Sequence, residues 1–473
     1  MLFNSGQFLV LFTVFIAIYA FIYQKKWVRT LYVLVFSFFF YYKASGWYLL
    51  ILLLSILIDY FIAFLIHDAK TKNLKTFWLV LSVSANVGLL CYFKYTDFFI
   101  QNINDLSGTK FALKNIFLPI GISFYTFQTL SYIIDVYKGK LAPTKSLMDY
   151  AFYMSFFPHL VAGPIVRARD FLPQIRETLT IDRQDVGEGF YLIVKGLIKK
   201  AIFANYISQY ADLVYGNPTG YTGFENLMAM YVYALQIYCD FSGYSDMAIG
   251  LAKWMGFQLG DNFNTPYISR SITEFWRRWH ISLSSWLRDY IYIPLGGNRK
   301  GAFNQYLFLM LTMLIGGLWH GPSWKFVLWG GVHGLGLAIH KLWMKYVKPE
   351  NSKFLSGTLW NLFSWTLTFH FVAFLWIFFR AGTFNDAIVS IKSIFTQMDL
   401  NYILPFIQTR TLLVVLLIAG YCIQFIPEKF KLQIKFQTGK MHFLLKTIIL
   451  IIVIQLIFLI EPQGVLPFIY FQF

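Results

Sequence analysis

The sequence predicts an all-α, polytopic integral membrane protein, and three observations carry that prediction. Apolar residues make up 57% of the 473 positions and charged residues only 13%, whereas soluble domains carry roughly 25% charged residues. Aromatic residues reach 20%, with 51 Phe and 31 Tyr, as suits lipid-facing helices with belts at the membrane surfaces. Mean hydropathy is +0.55, and the apolar residues fall in runs of the length that crosses hydrocarbon, about 20 residues of helix. A water-soluble fold of this composition would leave far too much apolar surface in water.

Candidate spans run near 7–23, 28–42, 47–66, 76–95, 115–136, 149–166, 189–207, 226–251, 304–320, 323–342, 358–379, 411–427 and 443–461. The expectation is therefore roughly a dozen transmembrane or re-entrant helices. The first of them, Phe8 to Tyr23, lacks the basic leader and small-residue cleavage site of a signal peptide, and so reads as a retained span. Lys25, Lys26 and Arg29 follow it; Lys70, Lys72 and Lys75 follow the third span, and Lys138, Lys140 and Lys145 the fifth. Alternate loops are thus lysine-rich, which places the amino terminus outside the cytoplasm. The same rule accounts for the formal net charge of +17, and no basic stripe with nucleic-acid motif spacing accompanies it, so nucleic acid is not an expected partner.

The texture changes along the chain. Residues 1–145 read as plain hydrophobic helices, an amino-terminal scaffold. Residues 146–345 mix apolar runs with charge, Gly and Pro, and residues 346–473 return to scaffold, all within one membrane domain spanning 1–473. Ionisable groups and broken backbone persist at membrane depth only where protein or a water-filled cavity surrounds them, so the central block is the expected seat of function. Cys91, Cys239 and Cys422 lie in separate apolar segments without CxxC spacing, which supports neither disulfides nor a metal site.

An imidazole is costly at membrane depth and is the side chain best suited to take a proton from a hydroxyl near neutral pH. His320 closes the run LFLMLTMLIGGLWHG, beside Trp319 and ahead of the break Gly321-Pro322. The paired Gly316 and Gly317 suit close approach of helix backbones. His280 closes Phe275-Trp276-Arg277-Arg278-Trp279-His280. Placed on one helix over 273–290, Trp276, Trp279, Leu283, Trp286 and Tyr290 share a face and Glu274, Arg277 and Arg288 another, an amphipathic helix with His280 near the border. The turn Gly296-Gly297-Asn298 then leads into Arg299 and Lys300, a basic tail that suits either an anionic donor or a cytoplasmic loop.

His333 and His340 stand seven apart, unlike metal-binding pairs at i, i+4. His159, beside Pro158, fits a structural role. Asp240 and Asp246 lie six apart in an apolar span, where either could orient a histidine or pair with Arg277, Arg278 or another buried cation. No GxSxG elbow, P-loop or GxGxxG fingerprint is present.

At these residues the chain resembles the membrane-bound O-acyltransferases, and within them the bacterial branch that acetylates alginate. The resemblance rests on 273–283 (TEFWRRWHISL), Trp286 to Tyr290, Leu295 to Arg299, Gly317 to Gly321 and His333-Gly334, with 119–137, 157–167 and 238–246 in support. It implies a ring of helices around a central tunnel, His320 as the catalytic residue and His280 as the second signature residue. Trp319, Trp279, Arg277, Arg278, Asp240, Asp246, Asn298 and His333 are the expected supporting or substrate-binding positions. It further implies an acyl-thioester donor such as acetyl-CoA reached from the cytoplasm, no tightly bound cofactor and no metal. An extracytoplasmic acetyltransferase partner and a bacterial inner-membrane location complete the expectation. Acyl transfer to a hydroxyl needs a base and donors for the developing oxyanion, and a neutral imidazole suits the first role.

The expected function is O-acetylation of an exported, alginate-like polysaccharide. D-alanyl transfer to teichoic acid is the enzymatic alternative. A transporter or channel with proton-relay histidines is the non-enzymatic one, which the signature at 273–299 and 317–334 does not favour.

Overall fold

Ser5, Thr71, Ser146, Ser271 and Thr383 each start a helix by accepting a backbone N–H of its first turn. The computed structural model describes residues 3–347, 357–460 and 468–469, and every regular element among the described residues is helical. The chain forms two compact units, Met1–Ile193 with Ser245–Gly260, and Val194–Tyr244 with Asp261–Phe473. Their boundaries do not fall at 145 and 345, where the sequence changes texture.

The first unit is built from α1 (Gly6–Ile22), α2 (Lys26–Ser45), α3 (Leu49–Asp68), α4 (Lys72–Ser107), α5 (Ile122–Tyr137), α6 (Leu147–Ser155), α7 (Phe157–Leu160), α8 (Ala168–Arg176) and most of α9 (Arg183–Leu197). Thr71 opens α4 by accepting the Leu74 N–H at 3.3 Å, and Gly108, at φ +69°, closes it. The buried Asp59 on α3 accepts from Ser82 Oγ at 2.6 Å and from Asn86 Nδ2 at 3.0 Å on α4. A polar clasp of this kind joins helices where water offers no competing partner.

The expected span 149–166 is broken into α6 and α7. Pro158 has no N–H to continue a helix. The freed Phe157 N–H donates to Ser37 Oγ at 3.2 Å. His159, buried, places Nε2 2.9 Å from the Tyr153 carbonyl, the structural role expected of it. The expected span 115–136 is likewise helical only from Ile122, because Gly121, at φ +79°, turns the chain against the Leu160 carbonyl.

The second unit opens on a wide π-helical turn over Ile198–Ala204. There follow α10 (Asn205–Gly216), α11 (Gly223–Trp254, whose end belongs to the first unit), α12 (Ile272–Arg278), α13 (Ile281–Leu287), α14 (Ile293–Leu295), α15 (Ala302–His320), α16 (Trp324–Tyr346) and α17 (Thr358–Arg380). The last part is α18 (Phe384–Thr396), α19 (Ile403–Thr409), α20 (Thr411–Cys422), α21 (Glu428–Lys440) and α22 (Phe443–Ile460). Helices α15 and α16 form a tight hairpin. A Cβ on Gly317 would meet the Phe326 carbonyl, and one on Gly330 the Met313 carbonyl. Gly317, from the Gly316-Gly317 pair of the sequence, and Gly330 across the hairpin therefore permit a close backbone approach.

Among the described residues, five helical stretches are long and apolar enough to cross a membrane: Lys26–Asp68, Lys72–Ser107, Ala302–His320, Thr358–Arg380 and Phe443–Ile460. The bent pair Leu400–Thr409 and Thr411–Phe425 makes a sixth if it is one span. This is an all-helical, multi-pass membrane protein. The other stretches expected from hydropathy are helices too short, too broken or too polar to meet that measure.

Candidate active site

Two interruptions in helical runs of the second unit position its signature histidines. The 273–290 stretch, expected as one amphipathic helix, divides at Trp279-His280 into α12 and α13. His280 takes the left-handed conformation, φ +42° and ψ +55°, which is uncommon for any residue but glycine and is held only by strong surroundings. Loop 261–264 supplies them. The Asn264 N–H donates to the Arg278 carbonyl at 2.9 Å, the Ile281 N–H to the Asn262 carbonyl at 2.9 Å, and Ser282 Oγ to Asn262 Oδ1 at 2.9 Å. The freed helix ends are thus satisfied by backbone that lies elsewhere in the sequence. The second interruption is the expected one: α15 ends at His320, ahead of Gly321-Pro322.

Both imidazoles are buried, His280 at 0% and His320 at 3% exposure, and both lie against the ring of Trp319. The ring centroids are 6.1 Å apart for His280 and 5.1 Å for His320. His280 also packs on Phe241 at 4.7 Å. His320 is boxed further by Trp329 at 5.0 Å and Phe379 at 5.2 Å. Trp329 carries the contact on to His333, 4.5 Å away, which lies between Trp276, Phe275 and Phe371.

Trp279 stacks between Phe275 and Trp376. The indole N–H groups of Trp276, Trp279 and Trp329, and both ring nitrogens of His333, are buried without a hydrogen-bond partner among the described residues. Leaving such a group unpaired costs about 1–3 kcal/mol, and an indole N–H is a donor only.

The remaining expected residues are spread more widely. Arg278 pairs with Glu274 at 2.9 Å, and Arg277 is exposed. Asn298 lies at the surface, where its Oδ1 accepts from Tyr292 Oη. Asp240, buried, is engaged by the Lys200 ammonium, and its Oδ2 accepts the Ile469 N–H at 3.0 Å. Asp246 is on the portion of α11 in the first unit and projects about 120° away from Asp240 around the helix.

The sequence reading missed Lys200, although a Lys-Lys pair inside the apolar run 189–207 was a visible signal. It sits on the π-helical turn, a form often found at functional positions. Its neighbour Lys199 donates to Ser242 Oγ at 3.1 Å and lies over the Tyr238 ring. Phe379 was also missed, since α17 reads as a plain span.

The sequence also matches known proteins. The model of the membrane-bound O-acyltransferase family matches residues 142–379. The probable alginate O-acetylase AlgI of Pseudomonas putida is 43% identical over 397 residues, 82% of this chain and 79% of that protein. The peptidoglycan O-acetyltransferase of Helicobacter pylori is 36% identical over 388 residues, 76% of this chain and 73% of its own. The teichoic acid D-alanyltransferase of Bacillus subtilis is more distant, at 30% over 283 residues, 57% of this chain and 71% of its own.

Proposed function

We propose, since the chain belongs to the membrane-bound O-acyltransferase family, that His320 is the general base with which this membrane O-acetyltransferase moves an acetyl group from a thioester to a hydroxyl. The observation that carries the assignment is the placement of His320. It is buried at the broken end of α15, against three aromatic rings and within one ring of His280. Its imidazole takes the proton of the acceptor hydroxyl as the oxygen attacks the thioester carbonyl. The tetrahedral intermediate then expels the thiolate, which leaves with that same proton from the imidazolium. A ring packed edge-on against three others has a restricted orientation, which is what a base aimed at one atom requires. His280, which also packs against Trp319, polarises the carbonyl or orients the acceptor, and the indole N–H groups of the aromatic wall are candidate oxyanion donors.

The substrate is a hydroxyl of an exported or cell-surface polysaccharide. Its closeness to alginate and peptidoglycan O-acetylating relatives supports this over D-alanyl transfer, whose relative matches less of the chain at lower identity. The donor is acetyl-CoA or another acyl thioester on the cytoplasmic side. The acyl group crosses through a tunnel among roughly a dozen spanning or re-entrant helices, in the bacterial inner membrane with the amino terminus outside. An extracytoplasmic acetyltransferase completes the transfer.

The test is the O-acetyl content of surface polysaccharide in cells carrying His320→Ala, with the membrane abundance of the variant measured alongside. Removing a general base costs roughly 100- to 10,000-fold in rate, so acetate falls to background at normal abundance. Undiminished acetate would remove His320 from this role and direct attention to D-alanine esters.

A further inference from the structure

No Asp or Glu occurs anywhere from 290 to 349, whereas Arg299, Lys300, Lys325, Lys341, Lys345 and Lys348 do. The fold gathers part of this uncompensated charge in one place. Thr273 Oγ1 on α12 is 2.9 Å from His340 Nδ1 on α16. Arg277, one helical turn beyond Thr273, lies within electrostatic range of the same histidine. The next residue, Lys341, is half-buried, with Nζ 3.5 Å from Tyr292 Oη and 5.4 Å from the centre of its ring.

Tyr292 Oη in turn donates to Asn298 Oδ1, which leaves the donor half of the Asn298 amide to other partners. The turn that brings Asn298 back over Tyr292 needs glycine. Gly296 and Gly297 have φ of +134° and +56°, and the Gly297 N–H donates to the Tyr292 carbonyl at 2.9 Å. Of the carboxylates near it, Glu274 is occupied by Arg278 and by the Arg270 N–H, and Asp289, on the same π-helical turn as Tyr292, is engaged by Arg288. Arg277, Arg299, Lys300 and Lys341 have no acidic partner among the described residues.

We propose that Arg277, Tyr292, Asn298 and Lys341, with Arg299 and Lys300 at the rim, form a cradle for phosphate, and that its occupant is the phosphorylated carrier of the acyl thioester. The donor assignment rests on the acyltransferase reading; the phosphate chemistry does not. A guanidinium fork, a compact ammonium, a phenol and an amide supply donors of varied geometry around several cations. That set matches a group with several oxygens and more than one negative charge better than it matches a single carboxylate. Like charges gathered on a half-buried surface repel one another, and a bound polyanion relieves that repulsion. The phosphate of an anionic lipid headgroup shares this chemistry, and the experiment separates the two sources.

The full-length protein, reconstituted in phosphatidylcholine, is tested for binding of adenosine 3′,5′-bisphosphate by equilibrium dialysis. The expected result is saturable binding that weakens as salt rises. Lys341→Gln lowers the affinity about tenfold, as loss of a charged hydrogen-bonding partner does. Tyr292→Phe, which keeps the ring and removes only the hydroxyl, lowers it less. Addition of phosphatidylglycerol leaves binding in place if the site serves the donor. Displacement by phosphatidylglycerol would assign the cradle to lipid headgroups and overturn the donor assignment. No saturable binding, or wild-type affinity in both variants, would overturn the cradle itself. Because binding is read without turnover, a chain that binds the bisphosphate yet transfers no acetate would overturn the acyltransferase reading and leave the cradle standing.

Discussion

Lys200 survives in an apolar run because Asp240 faces it and the Ile469 N–H takes the other carboxylate oxygen. A buried pair of this kind contributes little net stability when both partners are present, but breaking it strands a charge at a cost of about 3–5 kcal/mol. Lys200→Met is therefore expected to lower the unfolding temperature in detergent, and the isosteric apolar pair Lys200→Met with Asp240→Leu to regain most of the loss. Equal losses in the single and double variants would exclude the pair as the cause. Other residues at this scale were legible in the sequence. His320 stood out by its flanking glycines and the break after it. Phe379 did not, because nothing in α17 distinguishes the ring that meets His320 from the rings that meet lipid.

The α15–α16 hairpin shows what local pattern reaches and where it stops. Gly316-Gly317 announced close packing, but Gly330 as the partner of Gly317 emerges only when the two helices are laid together, with a Cα-side approach of 3.0 Å for an added Cβ. Gly330→Val forces the pair apart at a cost of roughly 1–3 kcal/mol. It is expected to depress acetylation and thermal stability together. Gly331→Ala is expected to be tolerated, since its Cβ meets only the flexible end of Leu314, at 3.3 Å. If surface acetate is equal in the two variants, the close approach does not position His320. In the 273–290 stretch the aromatic periodicity was real yet misread as one helix. The break at His280 is paid for by hydrogen bonds to Asn262 and Asn264, residues that no helical window includes.

At the scale of the molecule, the alternation of lysine-rich loops predicts an orientation that labelling can check. In a background lacking Cys91, Cys239 and Cys422, a cysteine at Lys110, in the segment after α4, is expected to react with an impermeant maleimide in intact cells. One at Lys70, before α4, is expected to react only after permeabilisation. The opposite pattern would invert the chain in the membrane. Not every cation counts toward that orientation: Arg29 is buried and donates to the Ile175 carbonyl at 2.7 Å and the Glu177 carbonyl at 3.2 Å. Hydropathy by itself does not fix the number of crossings for a related reason. Apolar runs such as 149–166 serve a protein interior as well as they serve lipid, and their Pro and Gly positions decide between one crossing and several short helices.

By itself the sequence determined the membrane class, the helical content, the acyltransferase signature and the break beside His320. Each of these depends on composition, short-range spacing or a local turn. The tertiary structure decided that His280 leaves the helix in a left-handed conformation, that both histidines share Trp319, that Asp240 is engaged by Lys200, and that Lys341 reaches Tyr292. Those outcomes join residues far apart in the chain, and local periodicity carries no information about which distant loop or ring will meet a given side chain once the helices pack.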